Sequence, residues 1–148
     1  MTQIGIVKAV NISRKKGEIK ENIHTCKVNM QGLENDAHSG DWHRQISLLA
    51  EESIDKIRHL SNSITYGSFA ENITSQGIRL HELPIGSFFK INDVVLELTQ
   101  IGKKCHNDCA IMQQVGKCVM PTEGVFAKVI HPGTISEGDE IRVILPNE

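Results

Sequence analysis

Between residues 88 and 99 the side chains alternate. Phe89 and Ile91 lead into Asn92-Asp93, after which Val94, Leu96 and Leu98 take turns with Val95, Glu97 and Thr99. A period of two places every second side chain on one face of a strand, and Asn and Asp tolerate the positive φ of a tight turn, so the segment predicts a β-hairpin. Ile4, Ile6, Val10 and Ile12 share one parity, as do Cys26, Val28 and Met30, and then Ile46 and Leu48. Val125, Ala127 and Val129 form another such set, His131-Pro132-Gly133 a turn, and Ile141, Val143 and Leu145 a last strand entered through Gly138-Asp139. Helical spacing is confined to Glu51–Leu60, where Ile54, Ile57 and Leu60 recur, acids open the segment, Arg58 and His59 close it, and Glu52 and Lys56 form an i,i+4 pair. A second short helix is expected around Cys109–Val115, before Gly116. About seven or eight short strands with one or two helices predict a mainly β fold, a closed or nearly closed barrel, because closure removes exposed sheet edges.

A chain of 148 residues is the length of one domain, and a single domain over residues 1–148 is expected. Sixteen basic against eighteen acidic residues give a net charge of −2 with no long run of one sign, which argues against a nucleic-acid partner. No stretch approaches the roughly 20 apolar residues of a membrane helix, and Met1–Val10 lacks a secretory core, so a cytoplasmic location is expected. In a reducing compartment four cysteines read as thiols, metal ligands or catalytic groups rather than disulfides.

Three of those cysteines fall within Lys103-Lys104-Cys105-His106-Asn107-Asp108-Cys109 and Gly116-Lys117-Cys118. Adjacent cations and an imidazole stabilise thiolate, the form that attacks sulfur or binds soft metals, so Cys105 with His106 is the candidate reactive pair. A packed, inert thiol is the alternative for Cys105. Cys109 and Cys118 admit three readings: resolving thiols, zinc ligands together with Cys105, or packing. The spacing of Cys105 and Cys109 suits zinc, but Cys118 has no close downstream partner, so a closed zinc site would borrow His38 or Cys26. Cys26, on the apolar parity of its strand, reads as core.

Five stretches together resemble the molybdenum cofactor sulfurase C-terminal (MOSC) domain. They are Asp36-Ala37-His38-Ser39-Gly40, Arg44–Leu49, Phe69–Thr74, Thr99–Cys105, and Gly124–Ile130 with Gly133, Ile135 and Gly138-Asp139. The resemblance implies a β-barrel that binds the molybdenum cofactor, a molybdopterin, or carries sulfur as a persulfide on one cysteine, here Cys105, which alternatively ligates molybdenum. Many family members place arginine and proline before that cysteine, whereas this chain has Gly102-Lys103-Lys104. It is similar to the small stand-alone members. The chain has no room for a pyridoxal-phosphate domain, so a cysteine desulfurase or a molybdoenzyme is the implied partner.

The same resemblance assigns cofactor contacts to His38, Arg44, Asn72, Lys103, Lys104 and Cys105. His38 would bond the pterin or shuttle a proton at neutral pH. A guanidinium at Arg44 suits the phosphate that molybdopterin carries. Glu71 and Asn72 are expected to orient a site loop before they touch a ligand. Lys103 and Lys104 would anchor phosphate and lower the thiol pKa, with strand alternation turning only one of them toward the site. The rival reading is a small zinc or thiol redox protein built on Cys105, Cys109 and Cys118.

Overall fold

A computed structural model describes residues 3–103 and 119–147. The strands are β1 (Ile4–Ile12), β2 (Glu21–Asn22), β3 (Thr25–Asn29), β4 (Gly32–Leu33), β5 (Ile46–Ala50), β6 (Ile73–Gln76), β7 (Phe88–Ile91), β8 (Val94–Ile101), β9 (Val125–His131), β10 (Gly133–Ser136) and β11 (Glu140–Ile144). Two short helices among the described residues are α1 (Glu51–Asp55) and α2 (Met120–Glu123). Seven strands close on themselves in the order β11, β7, β8, β9, β5, β6, β1, with β1 pairing back to β11. Every pair in the ring is antiparallel except β5 with β6. A three-stranded sheet, β10-β3-β4, packs alongside. The expected barrel is the fold.

Its interior is apolar and mostly aliphatic. Val7, Leu48, Ile73, Phe89, Leu96, Leu98, Val125 and Ile141 are wholly enclosed, and burying such a side chain contributes about 1.5–3 kcal/mol. The predicted hairpin is present, with Ile91 facing Val94 across Asn92-Asp93 and Asn92 at φ 56°. Only Asn92 of the two takes positive φ.

Three expectations change. Ile4 and Ile6 face outward, 52% and 45% exposed, while Val7 and Val10 face in. Lys8 is an extra residue against β6, and a bulge of one residue moves the inward face from one parity to the other. The predicted helix is regular only over Glu51–Asp55, with a separate 3-10 turn at Arg58–Leu60. Its expected internal ion pair is replaced by one tertiary hydrogen bond and one tertiary ion pair: Glu52 Oε2 accepts the Gly77 N–H at 2.8 Å, and Lys56 Nζ lies 2.8 Å from Glu123 of α2. The helix proposed around Cys109–Val115 lies outside the described residues.

Both faces of β5 are buried, which explains why its sequence does not alternate cleanly. Leu48 faces the barrel, whereas Leu49 joins a second apolar cluster with Ile54, Phe69, Val119, Met120 and Phe126. That cluster packs α1 and α2 against the outer side of β5. No helix among the described residues is long and apolar enough to cross a membrane.

Candidate functional site

The loop joining β4 to β5 is organised by one carboxylate. Asp36 Oδ1 accepts the Ser13 N–H at 3.1 Å and Lys20 Nζ at 2.8 Å, and Oδ2 accepts the His38 N–H at 3.0 Å. Its carbonyl accepts the Ser39 hydroxyl at 2.8 Å. An aspartate that bonds the backbone two residues ahead pre-forms a turn, so His38 is held in a fixed place. Gln45 secures the other end of the loop: its amide donates to the Met30 and Gly40 carbonyls, and its Oε1 accepts the Val129 N–H at 2.7 Å.

Lys20 is the residue that sequence reasoning missed. Its side chain is completely buried, yet it lies in Gly17-Glu18-Ile19-Lys20-Glu21, a stretch that reads as a charged surface loop. Its neighbour Ile19 is 40% exposed, the reverse of what hydropathy suggests. The Lys20 backbone is braced from behind, its N–H donating to the Gly67 carbonyl at 2.9 Å. Gly67 has φ +88°, and a Cβ there would come within 2.0 Å of the Lys20 carbonyl oxygen, so only glycine allows this approach. Glu71 holds that loop: its fully buried carboxylate accepts the Gly67 N–H at 3.0 Å, the Phe69 N–H at 3.2 Å and the Thr74 hydroxyl at 2.6 Å. Burial pushes the Glu71 carboxyl up, while these three donors pull it back. The expected loop-orienting role of Glu71 is therefore what the geometry shows.

Burial drives the Lys20 ammonium toward its neutral form, and Asp36 opposes that. For Asp36 burial acts in the opposite direction, but the hydrogen bond and charge of Lys20, with the Ser13 and His38 N–H groups, leave its carboxyl below the usual range. His38 Nδ1 lies 3.0 Å from Lys20 Nζ. Burial, then the charge of Lys20, with smaller contributions from Lys103 and Lys16, lowers the His38 imidazole to about 4. Of the two roles expected of His38, this lowering favours the hydrogen bond over the neutral-pH proton shuttle. A ring that stays uncharged down to about pH 4 does not switch near pH 7.

Beside His38 the surface is aromatic and cationic. Trp42 lies nearly parallel to the His38 ring at 6.5 Å, its indole N–H donating to the His38 carbonyl at 2.8 Å. Lys16 Nζ and the Arg44 guanidinium each sit 4.7 Å from the Trp42 ring, and Arg44 also lies 5.4 Å from Phe126. The Arg44 guanidinium makes no hydrogen bond or ion pair among the described residues.

β8 arrives at the same end of the barrel. Thr99 is an extra residue against β9, and its hydroxyl bonds the His43 and Phe126 carbonyls. His43 Nε2 meets Gln100 Oε1 at 2.8 Å. The chain then leaves the strand at Gly102, whose φ is +71° and whose Cβ position would lie 2.3 Å from the Pro121 oxygen. The N–H groups of Gly102 and Lys103 donate to the Gly124 and Pro121 carbonyls. Strand alternation thus ends before Lys103, which is half-buried, and its charge is felt by both Lys20 and His38.

Of the predicted site residues, the structure brings His38, Arg44 and Lys103 to this end of the barrel. Asn72 is corrected. It is wholly enclosed, its Oδ1 accepting the Ser47 N–H at 2.9 Å and its Nδ2 donating to the Asn11 carbonyl at 3.1 Å, so it clamps β1 to β5 instead of meeting a ligand. Lys104, Cys105, His106, Cys109 and Cys118 lie outside the described residues. No cluster of three histidine, cysteine or acidic side chains arranged for a metal occurs among the described residues. Cys26 is buried in the barrel core, its thiol raised by burial, and His38 Nδ1 meets Lys20.

A closed seven-stranded barrel with a cationic loop cluster at one end, leading directly into a Lys-Lys-Cys segment, defines a class of small barrel domain. The MOSC domain profile matches residues 35–142, and the chain belongs to the MOSC domain family, which is associated with molybdenum-cofactor-related function. In three dimensions it is similar to the YuaD protein from Bacillus subtilis, with TM-score 0.82 at 18% identity over 97% of each chain. It is also similar to YiiM from Geobacillus stearothermophilus, with TM-score 0.72 at 18% identity over 95% of this chain and 75% of that one. YiiM from Escherichia coli aligns at TM-score 0.62 and 18% identity, over 97% of this chain and 70% of its own. No curated protein matches the chain in sequence.

Proposed function

We propose that this protein binds the molybdenum cofactor, or molybdopterin, at the end of the barrel formed by the 36–45 loop and the exit of β8, and that Cys105 carries sulfur there. The observation that supports the reading is the gathering of Lys16, Arg44 and His38 around the Trp42 ring, with the charge of Lys103, at the start of the Lys103-Lys104-Cys105 segment, felt at His38. Lys103 is two residues from Cys105, so even full extension separates their Cα atoms by about 7 Å at most.

The donor set fits the cofactor's chemistry. Molybdopterin carries a phosphate, and the N–H edge of Arg44 with the ammonium groups of Lys16 and Lys103 are the groups that bind one. When bound, the cofactor would supply molybdenum together with sulfur ligands. The chain's own contribution is recognition and charge: Arg44 and Lys103 hold the anion, neutral His38 offers a hydrogen bond, and the nearby cations favour thiolate at Cys105. In the sulfur-carrier step the Cys105 thiolate attacks the terminal sulfur of a desulfurase persulfide. The new S–S bond forms on Cys105 as the desulfurase thiolate leaves, with no external oxidant.

Intact-mass measurement after incubation with a cysteine desulfurase, its pyridoxal phosphate and cysteine tests the carrier role. Wild-type protein is expected to gain one sulfur on the peptide containing Cys105, and Cys105→Ser to gain none. Equal sulfur uptake by Cys105→Ser would remove Cys105 from that role.

A further inference from the structure

The buried ammonium of Lys20 has three acceptors and three protons. Ser13 Oγ lies at 3.0 Å, Asp36 Oδ1 at 2.8 Å and His38 Nδ1 at 3.0 Å. The Ser13 hydroxyl gives its own proton to the Lys15 carbonyl at 3.0 Å, so toward Lys20 it only accepts. A neutral amine at position 20 would leave the enclosed Asp36 carboxylate without its countercharge, an arrangement the interior strongly disfavours. With the ammonium saturated, Nδ1 of His38 accepts, and in a neutral imidazole the proton then resides on Nε2.

We propose that Lys20 is a positioning residue that locks His38 as a permanent Nε2–H donor, so that position 38 receives an acceptor atom of the ligand and does not work as a general base. This goes beyond the cofactor reading and does not rest on it. The ligand class is an acceptor-bearing anion: an oxyanion oxygen or a thiolate sulfur matches a fixed N–H donor amid the charges of Lys16 and Lys103, and a ligand offering a proton to His38 does not. Lys20 itself, with no proton to spare and no exposed surface, acts only through His38. The charged groups facing the ring are Lys20, Asp36, Lys103 and Lys16, and the Trp42 indole lies alongside it.

Nitrogen NMR of the histidine ring in the intact protein tests the lock. At pH 7 the wild-type His38 is expected to show a bare Nδ1 and a protonated Nε2, in one tautomer. Lys20→Met is expected to lose this single tautomer, because Nδ1 then faces Asp36 Oδ2, 3.9 Å away, and gains a proton. Lys20→Arg, which keeps a donor, is expected to retain it. A wild-type ring with its proton on Nδ1, or on both nitrogens, overturns the proposal whether or not Lys20→Met folds. A folded Lys20→Met with the tautomer unchanged overturns it as well. Failure here leaves the Cys105 sulfur test untouched, so the two ideas fail separately.

Discussion

Two lysine–carboxylate pairs in this protein have the same length and different surroundings. Lys20–Asp36 and Lys56–Glu123 both measure 2.8 Å, but the first pair is completely enclosed, whereas the Lys56 side chain is 59% exposed. The exposed pair joins α1 to α2 and is screened by water, which limits it to a scaffold contribution. The enclosed pair was costly to desolvate, and the attraction between its two charges is largely offset by that cost. What an apolar pair in its place would lack is the donor to His38 Nδ1 and the acceptors for the Ser13 and His38 N–H groups. The difference teaches that charge has been retained inside the barrel end where it sets the chemistry of a neighbour.

Breaking the comparison at its strong end gives the largest effect. Asp36→Ala strands the Lys20 ammonium and frees the turn before His38, and chemical denaturation is expected to show a loss of about 3–5 kcal/mol. Next comes acid. The unfolded His38 ring binds a proton near pH 6.5 and the folded ring only near 4, so between those values the unfolded state holds more protons and stability falls as pH drops. The full effect is roughly 3 kcal/mol, and denaturation curves at pH 7 and 4.5 should differ by less in His38→Gln than in the wild type. Asn72→Ala opens the clamp between β1 and β5 and leaves the Ser47 N–H unpaired, an expected cost of about 2–3 kcal/mol with the barrel's circular dichroism spectrum retained. Lys56→Ala sharpens the contrast from the weak end, with an expected change within about 1 kcal/mol that shrinks further in high salt.

The barrel was legible in the sequence because each hairpin writes its own period, as Phe89–Leu98 does on both sides of Asn92-Asp93. Register was not, since a single extra residue at Lys8 reverses which side of β1 faces the core and leaves no mark in composition. At the candidate site, His38 and Arg44 were readable from short family motifs, and Lys103 from its place beside Cys105. Lys20 was invisible: its burial depends on the Gly67 carbonyl, the Glu71-braced loop and Asp36, all distant in sequence, and its local context is charged. The partners of Asn72 were invisible for a related reason. The same amide that can bond a ligand is here consumed by Ser47 and Asn11, which only the tertiary structure brings to it.

On the proposed function, the barrel end bearing the enclosed pair, and not the surface bearing the exposed one, receives an anionic cofactor. Calorimetric titration of molybdopterin into the wild type, the double variant Arg44→Met/Lys103→Met and the single variant Lys56→Met tests this directly. A loss of affinity of at least about tenfold in the double variant, with Lys56→Met unchanged, is the predicted result. Equal binding by all three proteins, or weakening only in Lys56→Met, would contradict it.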